Sequence, residues 1–357
     1  MFVAWRDLRF AKGRFALMGT VIVLITLLVG LLSGLAAGLE RQNVSAITGL
    51  PADRIAFDAP GDGRKLSYAD SAVTAEQWRR WARTPGVTAA EPLGITSAKA
   101  TAGGTSAGVS VFGVRRGSGL APDSGALDGR SAVLSSTAAD ALGVRPGDSV
   151  ALGGRELRVA AVRGDASFSH TPVVWTGLEV WRKAAPASGG ATVIALSTSS
   201  GVDVPAGDRA AGTRTVSRQE SLAAIGSYAS ENGSLQLIRG FLFAISALVV
   251  GAFFTVWTIQ RSGDVAVLKA LGASTAHLLK DALAQVVILL VGGTALGSGV
   301  AVGIGALVAG STVPFVLTPT TVVAPAAVMT LLGALGAALA IRRITSVDPL
   351  TALGSTR

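Results

Sequence analysis

Cysteine is absent from all 357 residues, so no disulfide can brace an outward-facing domain and no thiolate can hold a metal. Histidine occurs twice, at His170 and His277. No HExxH metalloprotease helix, Ser-His-Asp spacing or cysteine nucleophile appears, which leaves an enzyme reading weak. No G-x-x-x-x-G-K-[ST] phosphate loop occurs anywhere in the chain. Charge is scarce too: 15% of residues are charged against 50% hydrophobic, which places the chain among integral membrane proteins.

The apolar residues lie in four blocks, each near the length of about 20 residues that a helix needs to cross hydrocarbon. They occupy residues 15–39, 235–259, 282–309 and 322–341. Within residues 15–39, 240–259, 282–309 and 322–341 there is no charged residue, so the spans lack the buried charges that mark an ion-coupled carrier. The first is too long for a signal-peptide core of roughly 7–15 residues. Gly292, Gly293, Gly297, Gly299, Gly303 and Gly305 in the third block are expected to let neighbouring helices approach closely.

Basic residues fix the expected orientation. Arg6, Arg9, Lys12 and Arg14 precede the first block, Arg261, Lys269 and Lys280 separate the second from the third, and Arg342 and Arg343 follow the fourth. By the positive-inside rule these sides are cytoplasmic, with both termini inside the cell membrane. The net charge of +9 is therefore a topology signal, and no nucleic acid partner is expected. Residues 1–14 form an amphipathic piece that would lie in the inner interface, with Trp5 at headgroup depth. Residues 310–321 carry no charge, as a short external turn should.

Between the first two blocks, residues 40–234 are long enough for a folded domain with its own core. Strands are expected at residues 131–134, 148–152 and 157–162, with a helix in the intervening STAADALG and a turn at Gly153 and Gly154. Residues 217–230 read as a helix opened by the Ser217/Glu220 capping-box spacing, and could run on as a stalk into the second span. The fold class is thus a membrane α-helical protein with four transmembrane helices, N-in/C-in, and a large α+β extracytoplasmic domain between helices 1 and 2.

Residues 260–281 form a short basic amphipathic region between two spans. Val265, Val267, Leu268 and Leu271 offer an apolar face, Arg261, Asp264 and Lys269 keep it soluble, and Gly272 supplies a helix C-cap. Its QRSGDVAVLKALGAS resembles the coupling-helix signature of FtsX/MacB-type ABC transporter permeases. The tail, residues 342–357, contains RRITSVDPLTALG, which is similar to that family's second signature. SAVLSSTAADALGVRPGDSVALGGRELRVAAV, residues 131–162, resembles the family's extracytoplasmic core domain.

The resemblance implies a non-catalytic permease subunit that dimerises with itself in the plasma membrane and contacts its lipid. Two copies of a separate cytoplasmic ABC ATPase, which uses the ATP, would grip Arg261, Asp264, Val267, Leu268, Lys269, Leu271 and Gly272. The missing phosphate loop agrees, since the energy must then come from another polypeptide. MFVAWRDLRFAKGRFALMG further resembles the DevC/HrtB branch, which includes haem-exporter permeases, so haem is the first expected cargo. An FtsX-like scaffold controlling a cell-wall hydrolase, and a lipid, lipoprotein or drug efflux permease, are the alternatives within the same fold.

For a haem cargo the candidate residues are Glu40 and Glu231, as carboxylates at the outer ends of two spans, with Tyr228 and Arg239 beside them. Iron ligation by Glu40 or Glu231 is the only metal contact expected, and no cofactor is bound covalently. Charges at span ends are ordinarily boundary markers. His170, near Trp175 in SFSHTPVVW, is read as a hydrogen-bonded structural residue and not as a ligand.

Overall fold

The computed structural model describes residues 12–61, 63–185, 190–260, 263, 267, 272, 274–308 and 313–345. It divides into two compact units, one of residues 39–233 and the other of residues 1–38 with 234–357. Among the described residues, four helices are long and apolar enough to cross a membrane, over Ala16–Thr48, Tyr228–Trp257, Ala282–Val308 and Pro319–Leu339. The large domain lies between the first and the second of these in sequence.

That domain opens on the last turns of α1 (Lys12–Thr48) and continues through β1 (Arg54–Asp58), α2 (Ala75–Ala82), β2 (Val87–Ala102) and β3 (Thr105–Val114). Next come β4 (Ser131–Leu134), α3 (Ser136–Leu142), β5 (Ser149–Leu152), β6 (Arg155–Val162), β7 (Ser167–Phe168) and β8 (Thr171–Gly177). It closes with α4 (Leu178–Ala184), β9 (Val193–Thr198), α5 (Val204–Ala211), β10 (Thr213–Ser217) and the start of α6 (Tyr228–Gln260). The sheet runs β10-β1-β9-β2-β3-β8-β4-β6-β5. Because the long β2 also pairs with β5, through Ala100 with Leu152, its six strands from β2 to β5 close into a ring that leaves no free edge between them.

Local signals explain several boundaries. Thr74 and Gln77 form a reciprocal capping box at α2. Ser135 caps α3, which ends at Gly143 in the left-handed conformation. The strand, helix, strand, strand series expected over residues 131–162 is present as β4, α3, β5 and β6. The core ring is filled by residues such as Val111, Leu134, Leu157 and Val174, and a second apolar cluster joins Val44 and Ile47 of α1 to Phe57, Phe112, Phe168 and Ile225. The end of α1 is therefore part of the domain's core.

The approach to α6 differs from the expected continuous helix. Residues 213–217 form β10, and Glu220–Ala224 make a 3-10 turn before α6 begins at Tyr228. The Ser217/Glu220 box is formed, with the Ser217 N–H donating to Glu220 at 2.9 Å and the Glu220 N–H to Ser217 Oγ at 3.1 Å, but the turn that follows is short and Gln219, the residue before it, lends it no side-chain cap. Ser217 is held extended opposite Arg54 of β1, and Ile225 at the end of the turn is extended too, so no single helix spans residues 217–230. Tyr68 pins the turn by donating to Ser221 Oγ at 2.9 Å; burial pushes its hydroxyl up, so it stays a donor.

In the other unit, α6 continues from Ser234 and is joined by α7 (Thr275–Val308) and α8 (Pro319–Thr345). Met18, Ile22, Val250, Phe254, Trp257, Val286, Leu290 and Ala337 form its core. Half of the α7 glycines work as expected of close packing. A Cβ on Gly293 would lie 2.7 Å from Ile22, one on Gly297 2.7 Å from the Val23 carbonyl, and one on Gly305 2.4 Å from the Phe315 ring. Gly292, Gly299 and Gly303 face open space. Leu248, Leu296, Leu307, Leu331 and Leu339 are exposed, which suits contact with lipid or with another chain.

The buried Trp181 packs over the paired glycines Gly94 of β2 and Gly113 of β3, where its ring would meet a Cβ added to Gly94 at 2.2 Å and its own Cβ one added to Gly113 at 2.3 Å. Gly94→Ala is expected to overpack this point at a cost of about 1–3 kcal/mol. Thermal unfolding of the purified chain checks it, and an unchanged midpoint would mean that the indole is free to move.

Candidate functional site

Three of the four candidate substrate residues come together where α1 and α6 enter the domain. Tyr228 occupies the first turn of α6, and its hydroxyl faces the Glu40 carboxylate on α1. Glu231, one turn further along α6, receives a hydrogen bond from Asn43 Nδ2 of α1 at 2.8 Å. Glu40 and Asn43 are three residues apart and Tyr228 and Glu231 three apart, so each helix presents its pair on one face.

A fifth residue, absent from the expected set, completes the cluster. His170 Nε2 lies 2.8 Å from Glu231 Oε2. An ionised carboxylate has no proton to give, so Nε2 carries the hydrogen and donates. His170 reaches Glu231 from the two-residue turn between β7 and β8, where Ser169 and His170 both have positive φ, 49° and 62°. Histidine tolerates this region better than most residues, yet such a turn usually calls for Asn-Gly. What holds it is α1: the Ser169 N–H donates to the Asn43 carbonyl at 2.9 Å and the His170 N–H to the Gln42 carbonyl at 3.1 Å.

Asn43 is 2% exposed, and its Oδ1 has no hydrogen-bond partner among the described residues. A buried amide that satisfies Glu231 and leaves its own oxygen unpaired is placed for the carboxylate. The Glu231 and His170 side chains keep 40% and 35% of their exposure, so the acidic group is held yet reachable. Beside it, Arg41 pairs with Asp165 at 2.8 Å, a second link from α1 to the loop before β7.

Among the described residues no group of three or more His, Asp or Glu could hold a bare metal ion. Arg239 belongs to the other unit, where its Nε is a buried donor without a partner among the described residues. Of the coupling set, Arg261, Asp264, Leu268, Lys269 and Leu271 lie outside the described residues, while Val267 is helical and exposed and Gly272 has φ +92°, the conformation of a helix C-cap. His277 falls within α7.

Family comparison covers most of the chain. Residues 15–214 match the MacB-like periplasmic core domain and residues 237–349 the FtsX-like permease C-terminal domain. The chain belongs to the FtsX/MacB family of ABC transporter permeases. A candidate hemin transport system permease protein, HrtB, of Staphylococcus haemolyticus is 26% identical over 99% of both chains. An HrtB of Staphylococcus epidermidis is 24% identical over the same share, and an uncharacterized ABC transporter permease of Mycobacterium bovis is 26% identical over 99% of each chain. The periplasmic region of MacB from Actinobacillus actinomycetemcomitans aligns over 50% of this chain and 94% of its own length, at 14% identity and a TM-score of 0.37.

Like-charge repulsion tests the cluster in this permease. Asn43→Asp, nearly isosteric, replaces the amide donor with a carboxylate facing Glu231. Burial and the neighbouring charge raise the pKa of the new group, so the destabilisation is largest at neutral pH and fades as pH falls through the carboxylate range, where one of the pair takes up a proton. Thermal unfolding of Asn43→Asp beside wild type across that range should show the gap closing at low pH; a constant gap contradicts the contact.

Proposed function

We propose that this permease is one half of a homodimeric, ATP-driven exporter that expels an amphipathic compound, haem first among them, from the outer leaflet of the cell membrane. The observation that carries the reading is the gathering of Glu40, Tyr228 and Glu231 at the domain ends of two long apolar helices. Relatives named for hemin transport, matching over 99% of their length, support the choice of cargo. A porphyrin is a flat apolar ring with a metal centre and two carboxylates. Oxygen donors on Glu40, Tyr228 and Glu231 suit the iron, and the apolar helices that carry them suit the ring.

Force would reach this site from below. In this reading both termini are cytoplasmic, the large domain is outside, and two ATPase copies bear on residues 260–274. α1 and α6 are each unbroken, 37 and 33 residues long, about 55 and 50 Å at 1.5 Å per residue. Each exceeds the roughly 30 Å of hydrocarbon, so a push on the cytoplasmic side is carried by a continuous helix into the domain.

Cells carrying Glu40→Ala with Glu231→Ala should become roughly tenfold more sensitive to haem, the scale of losing metal-site ligand support. Unchanged tolerance at equal protein level would remove the carboxylates from the site. Cells lacking the permease that keep haem tolerance but lose cell-wall hydrolysis would assign the chain to an FtsX-like scaffold instead.

The coupling assignment has its own check. Leu268→Asp or Leu271→Asp puts a charge on the apolar docking face and should release the ATPase while leaving the spans inserted. Co-purification of the ATPase at wild-type stoichiometry with both variants, together with full export, would contradict it.

A further inference from the structure

We infer that His170, with Asn43, positions Glu231 for the cargo and makes the β7–β8 hairpin a strut whose seat depends on that carboxylate. This rests on the reading of Glu231 as a cargo ligand. Both contacts to Glu231 come from side chains fixed elsewhere: Asn43 Nδ2 at 2.8 Å from inside the buried face of α1, and His170 Nε2 at 2.8 Å from the hairpin tip. A carboxylate with two donors on it has one preferred rotamer, and the partners of a ligand set its orientation and basicity. Here the usual arrangement is inverted, with an imidazole orienting a carboxylate.

The hairpin shows the cost of bringing His170 there. Ser169 and His170, neither a glycine, both sit in the left-handed region, and their amides are spent on the carbonyls of Asn43 and Gln42. Backbone held in a sparsely populated region persists where surrounding contacts over-determine it. Two backbone hydrogen bonds to α1, one side-chain bond to α6 and the Ser110 hydroxyl of β3, which donates to the Phe168 carbonyl at 3.1 Å, do so here. Removing the bond to Glu231 leaves the tip on α1 and β3. When iron takes the Glu231 oxygen, the same bond is weakened, so the domain registers whether the site is filled.

The test uses the full-length permease in detergent, titrated with hemin by absorbance, as wild type, His170→Gln and His170→Phe, with hydrogen exchange across residues 167–174 measured in parallel on these and on Glu231→Leu. His170→Phe should bind hemin about tenfold more weakly with an unmoved Soret band. His170→Gln, whose amide also donates, should return to within about threefold of wild type. Wild-type affinity in His170→Phe overturns the proposal. So does a displaced Soret band in His170→Gln, which would make the imidazole a direct iron ligand. If wild type itself shows no saturable hemin binding, the haem reading fails and exchange decides the strut alone. The Ser169 and His170 amides should exchange about tenfold faster in Glu231→Leu and in His170→Phe, and equal exchange in all the variants overturns it.

Discussion

A carboxylate near the end of a long apolar helix needs donors that stay in place, and Glu231 draws its two from separate stretches of chain. Asn43 comes from α1 and His170 from a hairpin tip 61 residues earlier. Through that one group, the two helices that link the apolar unit to the domain are tied both to each other and to the sheet. The strained Ser169–His170 turn, the unpaired Asn43 oxygen and the neighbouring Arg41–Asp165 bridge all make sense as parts of one arrangement built around it.

The domain supplies the rigidity this requires. The ring closed by β2 and β5 has no loose edge, and β8, which carries the hairpin, lies in it between β3 and β4. Val44 and Ile47 anchor α1 in the same apolar cluster as Phe168, the residue just before the turn. Movement of α1 is thereby expected to be felt at the hairpin. In an ABC transporter permease, such stiff connections are what a partner ATPase would act through.

Much of the architecture is legible in the sequence because its signals are local. Apolar block length picks out the four long helices, and alternation with glycine punctuation picks out β4 to β6. Glu40 and Glu231 stand out as carboxylates beside block ends. His170 and Asn43 do not, for a physical reason: their partners lie 61 and 188 residues away. A two-residue strand and a Ser-His turn give no hairpin signal of the Asn-Gly kind. Residues 217–230 mislead because the Ser217/Glu220 bonds close only a local bend, after which the chain makes a 3-10 turn and an extended Ile225 before α6 begins. The glycines of α7 show the same limit, since composition marks them as small but only tertiary packing sets Gly293 against Ile22 and leaves Gly292 facing open space.

If the acidic cluster at the domain ends of α1 and α6 receives the cargo, a cryo-electron microscopy map of the permease with its ATPase and hemin should show it. Planar density is expected, with an iron peak within coordination distance of Glu231 or Glu40 and with the Glu231 oxygen turned from His170. A porphyrin bound at a site that touches none of Glu40, Tyr228 and Glu231 would contradict it.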